Sequence, residues 1–287
     1  MDIYQVKPDY CDEAIIKPQK LEVMELNGKR HYQHPETLKW LTSNTTMLSA
    51  VMPSSPYLTD WKIEKGKEEA ERLKMHSAHY GTMMHIHCTL YLLHGKVNIF
   101  EAMSEYCKKK ELNIKDFNAY ELKKDLLSFI QFVKEKNITK LACEYPCYND
   151  NFAGTIDLIC QMTFNKKRII ALIDYKSGRK GFYESHRVQL HGYKIMLEQM
   201  TGLKVDKLFN FAPKNWDISP TLEPTFSFQN QSDEVYGKQW LLYSELYLLE
   251  LQKKKDNTIE KIELGNIITD DFNSLLTVST YEVANGL

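Results

Sequence analysis

The stretch GTIDLICQMTFNKKRIIALIDYKSG, from Gly154 to Gly178, decides how this chain folds. Two β-branched and apolar runs, Thr155 to Thr163 and Arg168 to Lys176, flank the polar turn Asn165-Lys166-Lys167, a pattern that predicts an antiparallel hairpin. Side chains alternate along a strand, so Asp174 and Lys176 share one face while Ile173 and Tyr175 take the other. Asp157 lies on the partner strand. A facing pair there sets it beside Asp174 as a two-carboxylate pocket for a hard divalent cation, with Lys176 adjacent. Phosphodiester hydrolysis uses such a set: a metal lowers the pKa of water and polarises the phosphate, and a lysine orients the nucleophile or neutralises developing charge. Asp-x-Lys alone is common by chance and by itself more often marks a surface hairpin with a salt bridge.

The 287 residues, 43% hydrophobic and 11% aromatic, suffice for one large domain or a core with appendages. No apolar run approaches the roughly 18 residues that span a bilayer, and the start MDIYQVKPDYCDEA is acidic. A cytoplasmic protein with no membrane partner is therefore expected. The six cysteines (Cys11, Cys88, Cys107, Cys143, Cys147, Cys160) form no C-x-x-C pair, which points to buried or idle thiols. A net charge of -1 and a pI of about 6.8 argue against a generally basic nucleic-acid coat protein. One local patch stands out: Lys166, Lys167, Arg168, Lys176, Arg179, Lys180, Arg187 and Lys194, against only Asp174 and Glu184, should concentrate positive charge around the proposed pocket.

Residues 1–35 read as an irregular arm followed by a small hairpin around Asn27-Gly28. Ser43, Asn44, Thr45 and Thr46 precede an apolar run and are expected to cap a helix at Thr45 or Thr46, where hydroxyls and N–H groups also suit a phosphate. Helices follow at Tyr57 to Trp61, across 68–95, at Ile99 to Lys110 and at Asp116 to Lys136. On the long second one, His85 and His87 are two apart and face different sides, so at most one serves a site. A strand over LACEYPCYNDN carries Glu144, an additional acidic group, and leads into the central hairpin. The helix Glu184 to Met200 places Gln189 and Tyr193 on one side, able to reach one ligand together. Strands at Lys207 to Ala212 and Thr221 to Phe228 and a helix from Glu234 to Lys255 complete a core over 36–230 and a helical extension over 231–287.

With these elements placed, four motifs stand in order: GTMMH (Gly81 to His85), GTID (Gly154 to Asp157), DYK (Asp174 to Lys176) and QLHGY (Gln189 to Tyr193). The set resembles the PD-(D/E)XK nucleases of the RecB-like branch. Upstream, RHYQHPETLKWLTSNTTMLSAVMP and KGKEEAERLKMHSAHYGTMMH are similar to the group containing the mitochondrial genome maintenance exonucleases and their phage relatives.

The resemblance implies an α/β fold with a central mixed β-sheet flanked by helices and helical additions. It implies a metal-dependent DNA exonuclease working from single-stranded ends in replication, recombination or repair. The alternatives are a structure-specific endonuclease and a non-catalytic recombination module. His85, Asp157, Asp174 and the Tyr175 carbonyl would hold Mg2+ or Mn2+ in a two-metal site. Asp157, Asp174 and Lys176 would be catalytic, and Gln189, Tyr193, Arg187, Thr45 and Thr46 would contact DNA. Tyr175, Phe182 and Tyr183 are candidates for stacking bases. Histidine among carboxylates suits Mn2+ better than Mg2+. The resemblance extends to cluster-bearing nucleases, but no cysteine follows Cys160, so no Fe-S cluster is expected. No G-x-x-x-x-G-K-[ST] run is present, so a partner would have to supply any ATP-driven motor for recombination or replication. The setting implied is bacterial or phage-infected cytoplasm.

Overall fold

Asn165 and Lys166 both adopt positive φ, at 48° and 63°, and turn the chain so that the two flanking strands pair antiparallel. The computed structural model describes residues 8–53, 55–178, 181–217 and 221–264, and contacts divide the chain into units Met1–Leu241 and Leu242–Leu287. In order the elements are β1 (Val23–Leu26), β2 (Lys29–Gln33), β3 (Trp40–Ser43), α1 (Asn44–Val51), α2 (Pro56–Lys65), α3 (Lys67–His94), α4 (Ile99–Lys109), α5 (Ala119–Glu135), β4 (Thr139–Tyr148), β5 (Phe152–Phe164), β6 (Lys167–Tyr175), α6 (Glu184–Thr201), β7 (Lys207–Pro213), β8 (Phe226–Asn230) and α7 (Val235–Leu264). The result is a mixed sheet flanked by helices, the α/β architecture expected. No described helix is long and apolar enough to cross a membrane.

The sheet runs β1-β2-β3-β5-β6-β7-β8, with β4 on β5. β4 occupies one edge of β5 from Ala153 to Gln161. The other edge is shared: β3 pairs in parallel at Phe152 and Ala153, and β6 pairs antiparallel from Leu158 onward. Residues 154–157 therefore lie in a gap between β3 and β6. The sheet splits where the acidic residue sits.

One face of the sheet carries Leu158, Cys160, Ala171, Ile173, Phe209 and Phe211 and packs against α3, α4 and α5 through Met83, Met84, Met103, Phe129 and Phe132. Tyr175, offered above as a base-stacking ring, is 1% exposed in this core, its ring 5.1 Å from that of Phe129. α6 buries Val188, Leu190, Met196 and Leu197. All six cysteines are buried free thiols.

Several boundaries differ from the sequence reading. The cap of α1 is Ser43, whose Oγ accepts from the Thr46 N–H, because β3 ends there in an extended conformation (φ −66°, ψ 144°) that leads straight into the helix. α5 starts at Ala119, since the Asn118 side chain accepts from the Tyr120 and Glu121 N–H groups. β8 starts at Phe226 and not Thr221: Leu222 turns at φ 52°, and Pro224 has no N–H for a ladder. The described part of the arm is fastened along β4, through Asp12 N–H to Leu141 O, Lys140 to Asp9 O and Tyr145 OH to Lys17 O. α7 runs on to Leu264, and its second-unit portion exposes Leu242, Leu246 and Leu249. Residues 265–287 of the expected extension lie outside the described residues.

Two glycines admit close approaches. A Cβ at Gly154 would stand 2.5 Å from Tyr193 Cε1, and one at Gly192 would stand 2.1 Å from Trp240 Nε1. Trp240 is 2% exposed and donates to Asn44 Oδ1, while Asn44 Nδ2 donates to the Gln189 carbonyl. Gly192→Ala gains about 1 kcal/mol of helix propensity and must displace this indole, a clash of about 1–3 kcal/mol or more. Net destabilisation is expected in urea unfolding. Trp240→Leu should cost less in the Gly192→Ala background than alone, because the two share one contact; strict additivity would contradict this packing.

Candidate active site

The register builds the site. Cys143 pairs Leu158 and Tyr145 pairs Ile156, so Glu144 lies opposite Asp157. Leu158 pairs Ile173, so the next step sets Asp157 opposite Asp174, and Asp174 pairs Asn210 on β7. Three carboxylates and one amide thus stand in a row across β4, β5, β6 and β7, with strands about 4.8 Å apart. All four are buried, at 5%, 8%, 3% and 0% exposure. Glu144 takes φ 50°, a left-handed conformation unusual outside glycine, and strain of this kind gathers at functional sites.

Each acid is held separately. His85 on α3 places Nδ1 3.3 Å from Asp157 Oδ1 and Nε2 3.1 Å from the Tyr175 carbonyl. The Tyr175 N–H donates to Asp157 Oδ2 at 2.6 Å. Thr89, one turn along α3 from His85, donates to Glu144 Oε1 at 3.4 Å. Asp174 receives Lys176 Nζ on both oxygens (2.9 and 2.8 Å), Gln189 Nε2 on Oδ1 (3.3 Å) and Asn210 Nδ2 on Oδ2 (2.7 Å). Gln189 also donates to Tyr193 OH at 2.9 Å.

Burial alone would lower the His85 pKa, but the negative charges of Asp157 and Glu144 outweigh it and raise it to about 9. Burial and the Asp157 charge push Glu144 up to about 8. Burial likewise lifts Asp174 to about 6, with Lys176 opposing. Burial also works against ionised Asp157, yet His85 and Lys176 prevail and hold it below the usual range. One ligand atom each from His85, Glu144 and Asp157 lies within 4.8 Å of the others, so this trio fits a divalent ion.

Of the residues singled out from sequence, His85, Asp157, Asp174, Tyr175, Lys176, Gln189, Tyr193 and Thr45 line one cleft of about 490 Å³. Thr46 and Arg187 do not. Thr46 Oγ1 accepts from Ser43 Oγ, and Arg187 donates to Tyr236 OH at 2.7 Å. The expected basic surround is also redistributed: Lys166, Lys167 and Arg168 sit at the hairpin turn, about 25 Å from the carboxylates by strand length. Arg168 binds Asn137 O and Thr139 Oγ1 there. Arg179 and Lys180 lie outside the described residues. His87 is buried between Met83 O and Ile99 O, a packing role. Sequence reasoning missed Asn210 and Thr89. The signal for Asn210 was an isolated amide within the apolar strand KLFNFAP.

No protein-family model matches the chain, and no curated protein matches it. Among solved structures, the crystal structure of LHK-Exo in complex with dAMP aligns with a TM-score of 0.35 and 7% identity, over 64% of this chain and 96% of that one.

Protons on this cluster link to stability. His85 binds its proton to about pH 9 when folded against 6.5 ordinarily, so its contribution is fully present below pH 6.5 and lost as pH rises through about 9. Glu144, lifted from 4.5 to about 8, adds a cost that grows from about pH 4.5 and levels off near 8, so it acts over the lower part of the same window. Urea unfolding in EDTA should therefore show stability falling between pH 6.5 and 9, by on the order of 1 kcal/mol per pH unit for each group titrating. His85→Gln should flatten the curve, and a wild-type profile that is already flat would refute the assignment.

Proposed function

We propose that this cleft hydrolyses the phosphodiester bonds of DNA, as a metal-dependent exonuclease of the PD-(D/E)XK type that works from single-stranded ends. The observation that supports it is the convergence of His85, Glu144, Asp157, Asp174 and Lys176, from four separate elements, on one cleft. Side chains so far apart in the chain have no packing reason to bury like charges together. Single-strand and end specificity come from the resemblance of the motifs.

His85, Glu144 and Asp157 would hold the ion, with Asp174 and the Tyr175 carbonyl beside them; the donors serve one or two ions, Mg2+ or Mn2+. Bound there, a divalent ion supplies Lewis-acid polarisation of the phosphate and a more acidic water. Lys176 is fixed by Asp174 and lies 3.5 Å from Gln189 Oε1, so its charge is positioned before substrate arrives. It offsets the negative charge that develops when water oxygen attacks phosphorus and the P–O bond to the leaving oxygen breaks. Gln189 and Tyr193 act in this arrangement on Asp174 and Lys176: Tyr193 is 5% exposed and its partner amide is already engaged. Binding of the ion requires His85 to give up the proton it holds against Asp157 or Tyr175, so activity should rise with pH toward about 9.

Three measurements test the reading. End-labelled linear single-stranded DNA should be degraded with Mn2+ or Mg2+ while closed circular single strands survive; cutting of circles would make the protein an endonuclease, and no cleavage of either would remove the nuclease reading. Lys176→Ala should stay folded, with Asp174 left to a proton or the ion once its lysine is gone, and lose activity by about 100-fold or more; equal turnover would take Lys176 out of the mechanism. His85→Ala should raise the Mn2+ concentration for half-maximal activity and lower its ceiling. His87→Ala, which removes a buried ring, should lower the melting temperature and leave that titration unchanged. The reverse pattern would withdraw His85 as a ligand.

A further inference from the structure

β2 forms a second wall of the cleft. His31 pairs Thr42, so the register sets Arg30 opposite Ser43, and both residues line the cleft. Tyr32, two residues on, shares the face of Arg30, and its hydroxyl meets Thr155 Oγ1 at 3.1 Å, which turns that face toward the gap in β5. The Arg30 charge is felt at Glu144, where it opposes the effects of burial and of Asp157. β2 and β6 lie on the same side of β5, one on either side of the gap, so the cleft over that gap is lined by Arg30 from one and by Lys176 at the end of the other. Arg30 and Lys176 are the two residues among the described lining that carry an arginine or lysine charge.

The rest of the lining has a consistent chemistry. Ser43, Thr45, Ser77, Thr82 and Ser177 contribute hydroxyls. The three tyrosines in the lining, Tyr32, Tyr175 and Tyr193, are 2%, 1% and 5% exposed, so their ring faces are spent on packing. Hydroxyls and an arginine fork suit phosphate and sugar oxygens, whereas base recognition needs open π-faces or edge contacts.

We propose that Arg30 binds the phosphate next to the one being cleaved, and that the cleft grips a nucleic-acid strand by its sugar-phosphate backbone without stacking its bases. The inference deepens the nuclease reading and rests on it. The small N-terminal hairpin is then part of the substrate site, not an appendage.

The test is single-turnover cleavage of a single-stranded oligonucleotide with Mn2+ by wild type, Arg30→Ala and Arg30→Lys. One neutral methylphosphonate linkage is moved stepwise from the end, and a second series carries abasic sugars instead. In wild type, a neutral linkage beside the cleaved one should slow cleavage about tenfold or more. Arg30→Ala should be slowed by a similar factor on ordinary DNA and lose nothing further at that linkage, with partial recovery in Arg30→Lys. Should Arg30→Ala melt early, Arg30→Lys reads the same coupling, since a point charge lacks the bidentate fork. Abasic sugars should leave the rate unchanged, where a stacked base would cost about fivefold or more. Arg30→Ala as sensitive as wild type to every neutral linkage would overturn the phosphate assignment. A loss on abasic strands would overturn the backbone grip. Failure of wild type to cut any strand with any metal would instead remove the nuclease reading beneath both.

Discussion

Three carboxylates placed side by side in a sheet repel one another, and the rest of the site is organised around that repulsion. Glu144, Asp157 and Asp174 occupy facing positions on β4, β5 and β6, all nearly excluded from water. Ionised together without partners, they would cost several kcal/mol each. The fold answers at each position with a different group. His85 sits against Asp157, Lys176 against Asp174, and Glu144 is lifted in pKa so that it tends to stay protonated. Such an array is a poor way to stabilise a protein and a good way to hold a divalent ion, which would replace protons with a stronger charge.

The split in the sheet makes that array reachable. Because β3 and β6 share one edge of β5 without meeting, residues 154–157 are left open toward the cleft. A continuous sheet would have covered this backbone with another strand. Gly154 completes the opening by letting the Tyr193 ring lie against the strand, and Tyr193 in turn accepts from Gln189, which bonds both members of the Asp174–Lys176 pair. Farther back, Trp240 and Asn44 fasten the Gln189 backbone to α1. A chain of close packing thus runs from an indole on α7 to the lysine, built from short buried contacts that leave little rotamer freedom.

Charge around the cleft is set by strand geometry more than by proximity in sequence. The lysines of the hairpin turn are next to Asp157 in the chain and a strand length away in space. Arg30, more than a hundred residues before Asp157, lines the same cleft, and its charge is felt at Glu144. That exchange replaces a broad basic patch with two cations, Arg30 and Lys176, in the lining of one acidic cleft.

The hairpin, the facing of Asp157 and Asp174, the pairing of Lys176 with Asp174, and the common side of Gln189 and Tyr193 were all legible in the sequence. They follow from periods of 2 and 3.6 and from turn chemistry, which act over a few residues. The choice between His85 and His87 could be posed from spacing and not answered. Other features depended on which strand lies beside which: the gap in β5, the alignment of Glu144 with Asp157, the amide of Asn210 on Asp174, and the arrival of Arg30. Strand order and parallel pairing are settled by the packing of distant segments against a shared core, and no local pattern in 287 residues encodes that neighbour relation. The sequence by itself determined the chemistry of each strand, and the tertiary structure decided which chemistries meet.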